Sequence, residues 1–124
     1  MDLTPRIPQG RQIVQSYGDG GFRVSGALHT GSLLVFPERV VAWPVAGIAD
    51  VTEADFALVI AAEPRVDVLL VGCGRRMALL PAALRARLRA AGIVPDVMDT
   101  GAACRTYNVL MAEERRVAAA LIAV

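Results

Sequence analysis

Lysine is absent from the 124 residues, and the chain contains a single histidine. All 13 basic residues are arginine, and 12 acidic residues balance them to a formal net charge of +1. Such a balanced chain creates no overall field that would attract nucleic acid or an anionic membrane. We therefore expect no nucleic-acid partner. Among the arginines, only those that cluster at a loop are interpreted as functional.

Cysteine is also scarce. Cys73 and Cys104 do not form a Cys-x-x-Cys motif, and His29 falls in a predicted turn, so the sequence predicts neither a metal site nor a cofactor. The longest apolar run, Val117 to Val124, is well short of the roughly 20 residues that cross a bilayer. The start "MDLTPRIPQG" lacks the apolar stretch of a secretory signal. These features predict a cytoplasmic protein with reduced thiols.

Hydrophobic residues make up 55% of the chain and charged residues 20%, which is typical of a globular protein. The length predicts one domain, residues 11–124, preceded by a flexible tail at residues 1–10.

The first third of the chain has the pattern of short strands. "RQIVQSYG", "GFRVSGAL", "SLLVFP" and "RVVAWPV" are separated by the turn sequences "GDGG", "HTG" and "PE", which predicts an antiparallel meander. Trp43 is predicted to close the meander as a packing anchor.

Helices and strands alternate in the rest of the chain. Thr52 is expected to cap a helix that ends before Pro64 and buries Phe56, Val59 and Ile60 on one face. The next segments are a buried strand "VDVLLVG", a helix "PAALRARLRAAG" with Pro81 at its first position and Gly92 at its end, an edge strand "IVPDVMD", a helix "TGAACRTYNVLMAEE" and a strand "RRVAAALIAV". The predicted fold class is α/β, a three-layer single domain with an N-terminal antiparallel β-meander followed by α-β-α-β-α-β around a mixed sheet.

The tetrapeptide Asp99-Thr100-Gly101-Ala102 matches the local signature of an aspartic protease. Such an enzyme needs a second carboxylate from another copy of the motif, and this chain contains only one copy. Because the residues that follow are helical in composition, we interpret Asp99 as a helix cap.

Two loops are predicted to meet at one edge of the sheet if "VDVLLVG" and "IVPDVMD" are parallel neighbours. "GCGRR" and "DTGAACR" could then form an anion pocket from arginine side chains and free helix N–H groups. Alternatively, Arg75 or Arg76 pairs with Asp99 or Glu113 and only holds the loop in place. No catalytic residue is predicted, and both cysteines are expected to be small buried side chains. The candidate ligand- or partner-binding residues are Gly72, Gly74, Arg75, Arg76, Asp99, Thr100, Arg105 and Asn108.

Three segments resemble a small domain family of unknown function that includes mitochondrial complex I assembly factor 3. They are "YGDGGFRVSGALHTGSLLVFP", "LLVGCGRRMALLP" and "MDTGAACRTYNVLMAEERRVAAALI", and with the Trp43 turn they cover about Ile13 to Leu121. The resemblance implies a three-layer α/β fold with a mixed sheet. It also implies a role like that of the mitochondrial member, an assembly factor for NADH:ubiquinone oxidoreductase, although most bacterial and archaeal members have no assigned activity. The lack of a mitochondrial targeting extension is expected of a bacterial member.

We therefore expect a non-catalytic binding or assembly module that acts on a respiratory or other membrane-bound complex from the cytoplasmic side. Its partner would be a protein, it could lie peripherally on the membrane, and it could form an oligomer. The alternative is a small enzyme or an anionic-ligand-binding protein that uses the loops at residues 72–76 and 99–105.

Overall fold

The computed structural model describes residues 10–124, so the predicted tail lies outside the described residues except for Gly10. Eight strands and three α-helices occur in this range. They are β1 (Val14–Gly18), β2 (Gly21–Val24), β3 (Ala27–Thr30), β4 (Leu33–Val35), β5 (Val40–Ala42), α1 (Ala57–Ile60), β6 (Val68–Gly72), α2 (Ala82–Ala90), β7 (Val94–Met98), α3 (Thr100–Ala112) and β8 (Val117–Leu121).

The predicted N-terminal strands are divided between two sheets. β1, β2 and β3 form an antiparallel meander of three strands, whereas β4 and β5 form a hairpin within a larger sheet. The prediction of one strand over "GFRVSGAL" is wrong, because Ser25 and Gly26 form a two-residue turn between β2 and β3. Their φ angles of 48° and 87° are both positive, as a type I′ hairpin turn requires.

The larger sheet has the strand order β5-β4-β8-β6-β7 and is mixed. β8 is antiparallel to β4 and parallel to β6, and all five of its residues are buried. β6 and β7 are parallel, and β7 with Pro95 lies at the edge of the sheet, as predicted. These features confirm the α/β class with a mixed sheet.

Helices pack on both faces of the larger sheet, as expected. On one face α2 contributes Leu84 and Leu88 to a core that also contains Trp43 and Phe56. On the other face α3 contributes Tyr107 to a core that includes side chains of the small sheet. Trp43 is a packing anchor, since it is 3% exposed and its indole Nε1 donates a hydrogen bond to the Asp55 carbonyl oxygen at 2.8 Å.

The helix predicted after Thr52 is shorter than expected. A 3-10 turn over Glu53–Phe56 continues into α1, which is a single turn long. Phe56 and Val59 are buried, while Ile60 at the last position of this single turn is 38% exposed, contrary to its predicted place in the core.

The end of α2 is built as predicted. Gly92, with φ of 82°, donates to the Arg89 carbonyl oxygen, and Ile93 donates to that of Leu88, both at 2.9 Å. This pair of hydrogen bonds is the Schellman motif that a C-terminal glycine favours. At the other end Pro81 lies one residue earlier than predicted, as the residue before the first helical position.

Candidate functional site

The two candidate loops meet at the carboxyl ends of β6 and β7. Gly72 and Met98 are paired at the last position of the two parallel strands. Beyond them the Cys73 N–H donates to the Met98 carbonyl oxygen, and the Thr100 N–H donates to that of Gly74, both at 2.9 Å. The structure therefore brings the "GCGRR" loop against the start of α3.

Thr100 is the centre of this junction and is completely buried. Its hydroxyl accepts a hydrogen bond from the Gly74 N–H at 3.0 Å and donates one to the Ile122 carbonyl oxygen at 2.8 Å. The single hydroxyl thus links the loop after β6 to the residue after β8. A Cβ atom at Gly72 would lie 3.0 Å from the Thr100 Cα, so this close approach favours glycine.

Asp99 is the N-cap of α3, which confirms its interpretation as a helix cap. Its Oδ1 accepts a hydrogen bond from the Ala102 N–H at 2.9 Å, and its carbonyl oxygen accepts one from the Ala103 N–H at 3.0 Å. Together with the bond from Thr100 to Gly74, these contacts use most of the N–H groups that an anion at the helix start would need. The Asp99 carboxylate itself also opposes an anion there.

Arg75 and Arg76 are exposed on the loop. Neither forms an ion pair with Asp99, Glu113 or any other carboxylate among residues 10–124, so the predicted pairing is not found. Gly74 adopts φ of 108°, which a residue with a side chain rarely adopts. The Cys73 sulfur holds the loop, since it donates to the Arg76 carbonyl oxygen at 3.3 Å and accepts from the Ala78 N–H at 3.4 Å.

Sequence reasoning missed two apolar side chains beside the arginines. Met77 and Leu79 are 59% and 67% exposed, whereas the next residue, Leu80, is buried. The segment "RRMALL" carries the signal, because its two arginines adjoin apolar residues in a loop between a strand and a helix. The loop therefore presents two positive charges and two apolar side chains to solvent.

The remaining candidates on α3 contact the small sheet. Asn108 binds both backbone groups of Val14 in β1: its Oδ1 accepts from the N–H at 3.0 Å and its Nδ2 donates to the carbonyl oxygen at 2.8 Å. Arg105 donates to the Tyr17 hydroxyl at 3.4 Å. That hydroxyl covers Gly101, where an added Cβ would lie 2.4 Å from it. The structure therefore places Asn108 away from the two loops and leaves Arg105 beside them.

The two cysteines are buried free thiols. Burial raises the pKa of Cys104 to about 12, an effect that the neighbouring Arg105 guanidinium only partly offsets. Because the thiolate is the nucleophilic form, this shift disfavours a nucleophilic role at neutral pH.

Three further points about the described residues concern metal binding, membrane crossing and clefts. Residues 10–124 contain no cluster of His, Cys, Asp and Glu that could hold a metal ion. Within the same range no helix has the length and hydrophobicity to cross a bilayer. A cleft lined by residues that include Phe36, Pro64 and Val117 lies near the amino ends of β6 and β8. A second cleft lies over the small sheet and is lined by residues that include Arg23 and Leu28. None of the predicted site residues lines either cleft.

The chain is similar to one protein family and to several known proteins. Residues 14–122 match the family described as "Protein of unknown function (DUF498/DUF598)". An uncharacterized protein of Rhodobacter capsulatus is 40% identical over 97% of this chain and 93% of its own length. The human protein named NADH dehydrogenase [ubiquinone] 1 alpha subcomplex assembly factor 3 is 38% identical over 98% of this chain, which spans 66% of the human protein.

Solved structures agree with these sequence matches. The crystal structure described as an outer membrane protein from Bartonella henselae has a TM-score of 0.86 and 41% identity, covering 93% of this chain and 97% of that one. A crystal structure from Bordetella parapertussis has a TM-score of 0.85 and 39% identity, covering 94% and 98% of the two chains.

Proposed function

Because the chain belongs to the family described as "Protein of unknown function (DUF498/DUF598)", we propose that it is a non-catalytic binding module that assists assembly of a membrane-bound respiratory complex. The observation that carries the proposal is the match of 98% of the chain to a human protein named as a complex I assembly factor. The chain would act as one domain, residues 11–124 with a tail at 1–10, in the cytoplasm, and would reach the membrane through its protein partner.

The chemistry of the two loops supports binding rather than catalysis. The buried Thr100 hydroxyl already has a donor and an acceptor within the protein, and the Asp99 carboxylate caps α3. The Thr100 hydroxyl is therefore not available to a substrate, and one oxygen of the Asp99 carboxylate is occupied by the helix cap. The loop projects Arg75, Arg76, Met77 and Leu79 instead, and arginine beside exposed apolar side chains is typical of protein interfaces.

Deletion of the gene in its native host tests this function. We expect less assembled NADH:ubiquinone oxidoreductase on native gels of the membranes, and recovery when the wild-type gene is restored. A host that assembles the complex to the normal level without the gene would exclude this function.

Charge reversal tests the proposed surface. Restoration with Arg75→Glu, Arg76→Glu should fail, because it reverses both charges on the surface that we propose binds the partner. Arg89→Glu, Arg115→Glu is the matched control, since it makes the same charge change at two other exposed arginines. Equal recovery by both variants, with equal expression, would show that the partner binds elsewhere.

The alternative, a small enzyme or an anionic-ligand-binding protein, is tested by thermal unfolding. A ligand of the native state raises the melting temperature, and phosphate or sulfate would do so through Arg75 and Arg76. We expect no rise beyond that of chloride at equal ionic strength, because the helix N–H groups are largely occupied. An anion-specific rise that Arg75→Ala, Arg76→Ala removes would favour the alternative.

A further inference from the structure

β3 is an edge strand that lacks the usual protection. Its only strand partner among residues 10–124 is β2, and its residues Ala27, Leu28 and Thr30 are exposed, Leu28 to 71%. The strand contains no proline and no carboxylate or guanidinium group. An edge of this kind offers unpaired backbone groups to another chain.

Each of the other three sheet edges of the described chain has at least one protective feature. On β1 the Asn108 amide occupies both backbone groups of Val14. β5 is only three residues long, and β7 carries Pro95 and Asp96 within its five residues. Short length, proline and charge each discourage edge pairing. β3 has no proline, no carboxylate or guanidinium group and no side chain of the described residues bonded across its edge.

The hairpin register shows which groups of β3 are free. Its two-residue turn makes Val24 and Ala27 a hydrogen-bonded pair, and such pairs alternate along an antiparallel ladder. The Gly31 N–H donates to the Gly20 carbonyl oxygen at 2.8 Å, so Gly31, four residues after Ala27, is again at a hydrogen-bonded position, as this alternation requires. Leu28 and Thr30 therefore direct their N–H and C=O groups away from β2.

We propose that β3 pairs with β3 of a second copy of this chain, antiparallel and with the twofold axis at His29. In this register Leu28 lies opposite Thr30 of the second copy, and the two pairs exchange four backbone hydrogen bonds. The two small sheets become one antiparallel sheet of six strands.

The chemistry of β3 suits a second copy as the occupant. The free groups of Leu28 and Thr30 are complementary to the same two groups in the antiparallel strand, so one register satisfies all of them. The strand has no carboxylate or guanidinium group that would repel its own copy, and the Leu28 side chain gains contact with the Thr30 methyl group. Because the paired segment has only four residues, the dimer should be weak and dependent on concentration.

Sedimentation velocity of the full chain, from micromolar to millimolar concentration, tests the dimer with two double variants. Leu28→Lys, Thr30→Lys sets lysine opposite lysine in both cross-strand pairs, so we expect a monomer throughout. Leu28→Lys, Thr30→Glu sets lysine opposite glutamate and should dimerise at least as well as the wild type. Both variants carry the same lysine beside Arg23, and both change exposed residues, so circular dichroism should show equal folding.

The results separate the possibilities without reference to the proposed function. A wild type that stays monomeric at millimolar concentration overturns the proposed pairing. This holds even if a different protein binds β3. Two outcomes would show that the copies meet elsewhere. One is a dimer of the Leu28→Lys, Thr30→Lys variant, and the other is failure of the Leu28→Lys, Thr30→Glu variant to dimerise. Slower exchange of the Leu28 and Thr30 amide hydrogens on dimerisation would support the register.

Discussion

Thr100 contributes two hydrogen bonds from one buried hydroxyl, and this residue shows how the candidate loops are held. Thr100→Val keeps the shape of the side chain but leaves the Gly74 N–H and the Ile122 carbonyl oxygen without a partner. Each unsatisfied buried group costs about 1–3 kcal/mol, so we expect the free energy of unfolding to fall by about 2–6 kcal/mol in urea titrations.

Thr100→Ser is the control for that substitution, because it keeps the hydroxyl and removes only a methyl group. We expect its loss of stability to stay near 1 kcal/mol, the approximate value of one buried carbon. Equal losses in the two variants would mean that packing, and not the hydroxyl, holds the junction.

Asp99 acts at the same scale through the N-terminus of α3. Asp99→Ala removes the acceptor for the Ala102 N–H and should lower stability by about 0.5–2 kcal/mol. Asp99→Asn keeps an oxygen acceptor and should remain within about 1 kcal/mol of the wild type. Chemical unfolding of both variants checks this order, and pepstatin-sensitive cleavage of peptides, abolished by Asp99→Asn, would instead restore the protease hypothesis.

At the scale of secondary-structure elements, Asn108 joins α3 to β1. Asn108→Ala removes both hydrogen bonds to Val14, and we expect a loss of about 1–3 kcal/mol. Hydrogen exchange should show the greatest loss of protection at the Val14 amide, with little change in β6. Asn108→Asp keeps an acceptor for that N–H and should protect it better than alanine does; uniform loss across both sheets would argue against a local role.

The exposed loop before α2 is a second feature at this scale. Its ends are held firmly, by Thr100 through Gly74 and by the buried Leu80, while its middle projects two arginines and two apolar side chains. A loop held at both ends loses less conformational freedom on binding than an unrestrained one, which suits a surface for a partner protein.

The whole molecule should lose stability at alkaline pH. Burial raises the pKa of Cys104 from 9.0 to about 12 and also raises the pKa of Tyr107. Both groups release protons more readily in the unfolded chain, so their stabilising contribution is complete below the unfolded pKa values and declines as pH rises above them. The decline should approach about 1.4 kcal/mol per pH unit for each group.

Urea titrations from about pH 9 to about pH 11 measure this slope. Cys104→Ala and Tyr107→Phe should each flatten it, because each removes one ionisable group. A slope that neither substitution changes would mean that other groups account for the alkaline loss.

Local chemistry determined much of this protein from the sequence alone. The Asp99 cap, the glycine at the end of α2 and the edge position of Pro95 follow from contacts within a few residues or from a missing N–H. The continuous apolar run of β6 indicated a strand covered on both faces, and the loops after β6 and β7 were predicted to meet if those two strands are parallel neighbours. These signals were enough to predict the α/β class and the meeting of the two loops.

Only the tertiary structure decided which strands pair and which polar groups are used. β4 joins the larger sheet because β8 pairs with it from the far end of the chain, whereas β2 stays in the small sheet with β1 and β3. Arg75 and Asp99 can pair by charge, yet the Asp99 carboxylate binds the Ala102 N–H. The unprotected edge of β3 is likewise invisible in the sequence. Such outcomes depend on residues distant in the chain competing for the same partner, and local propensity cannot predict which of them binds.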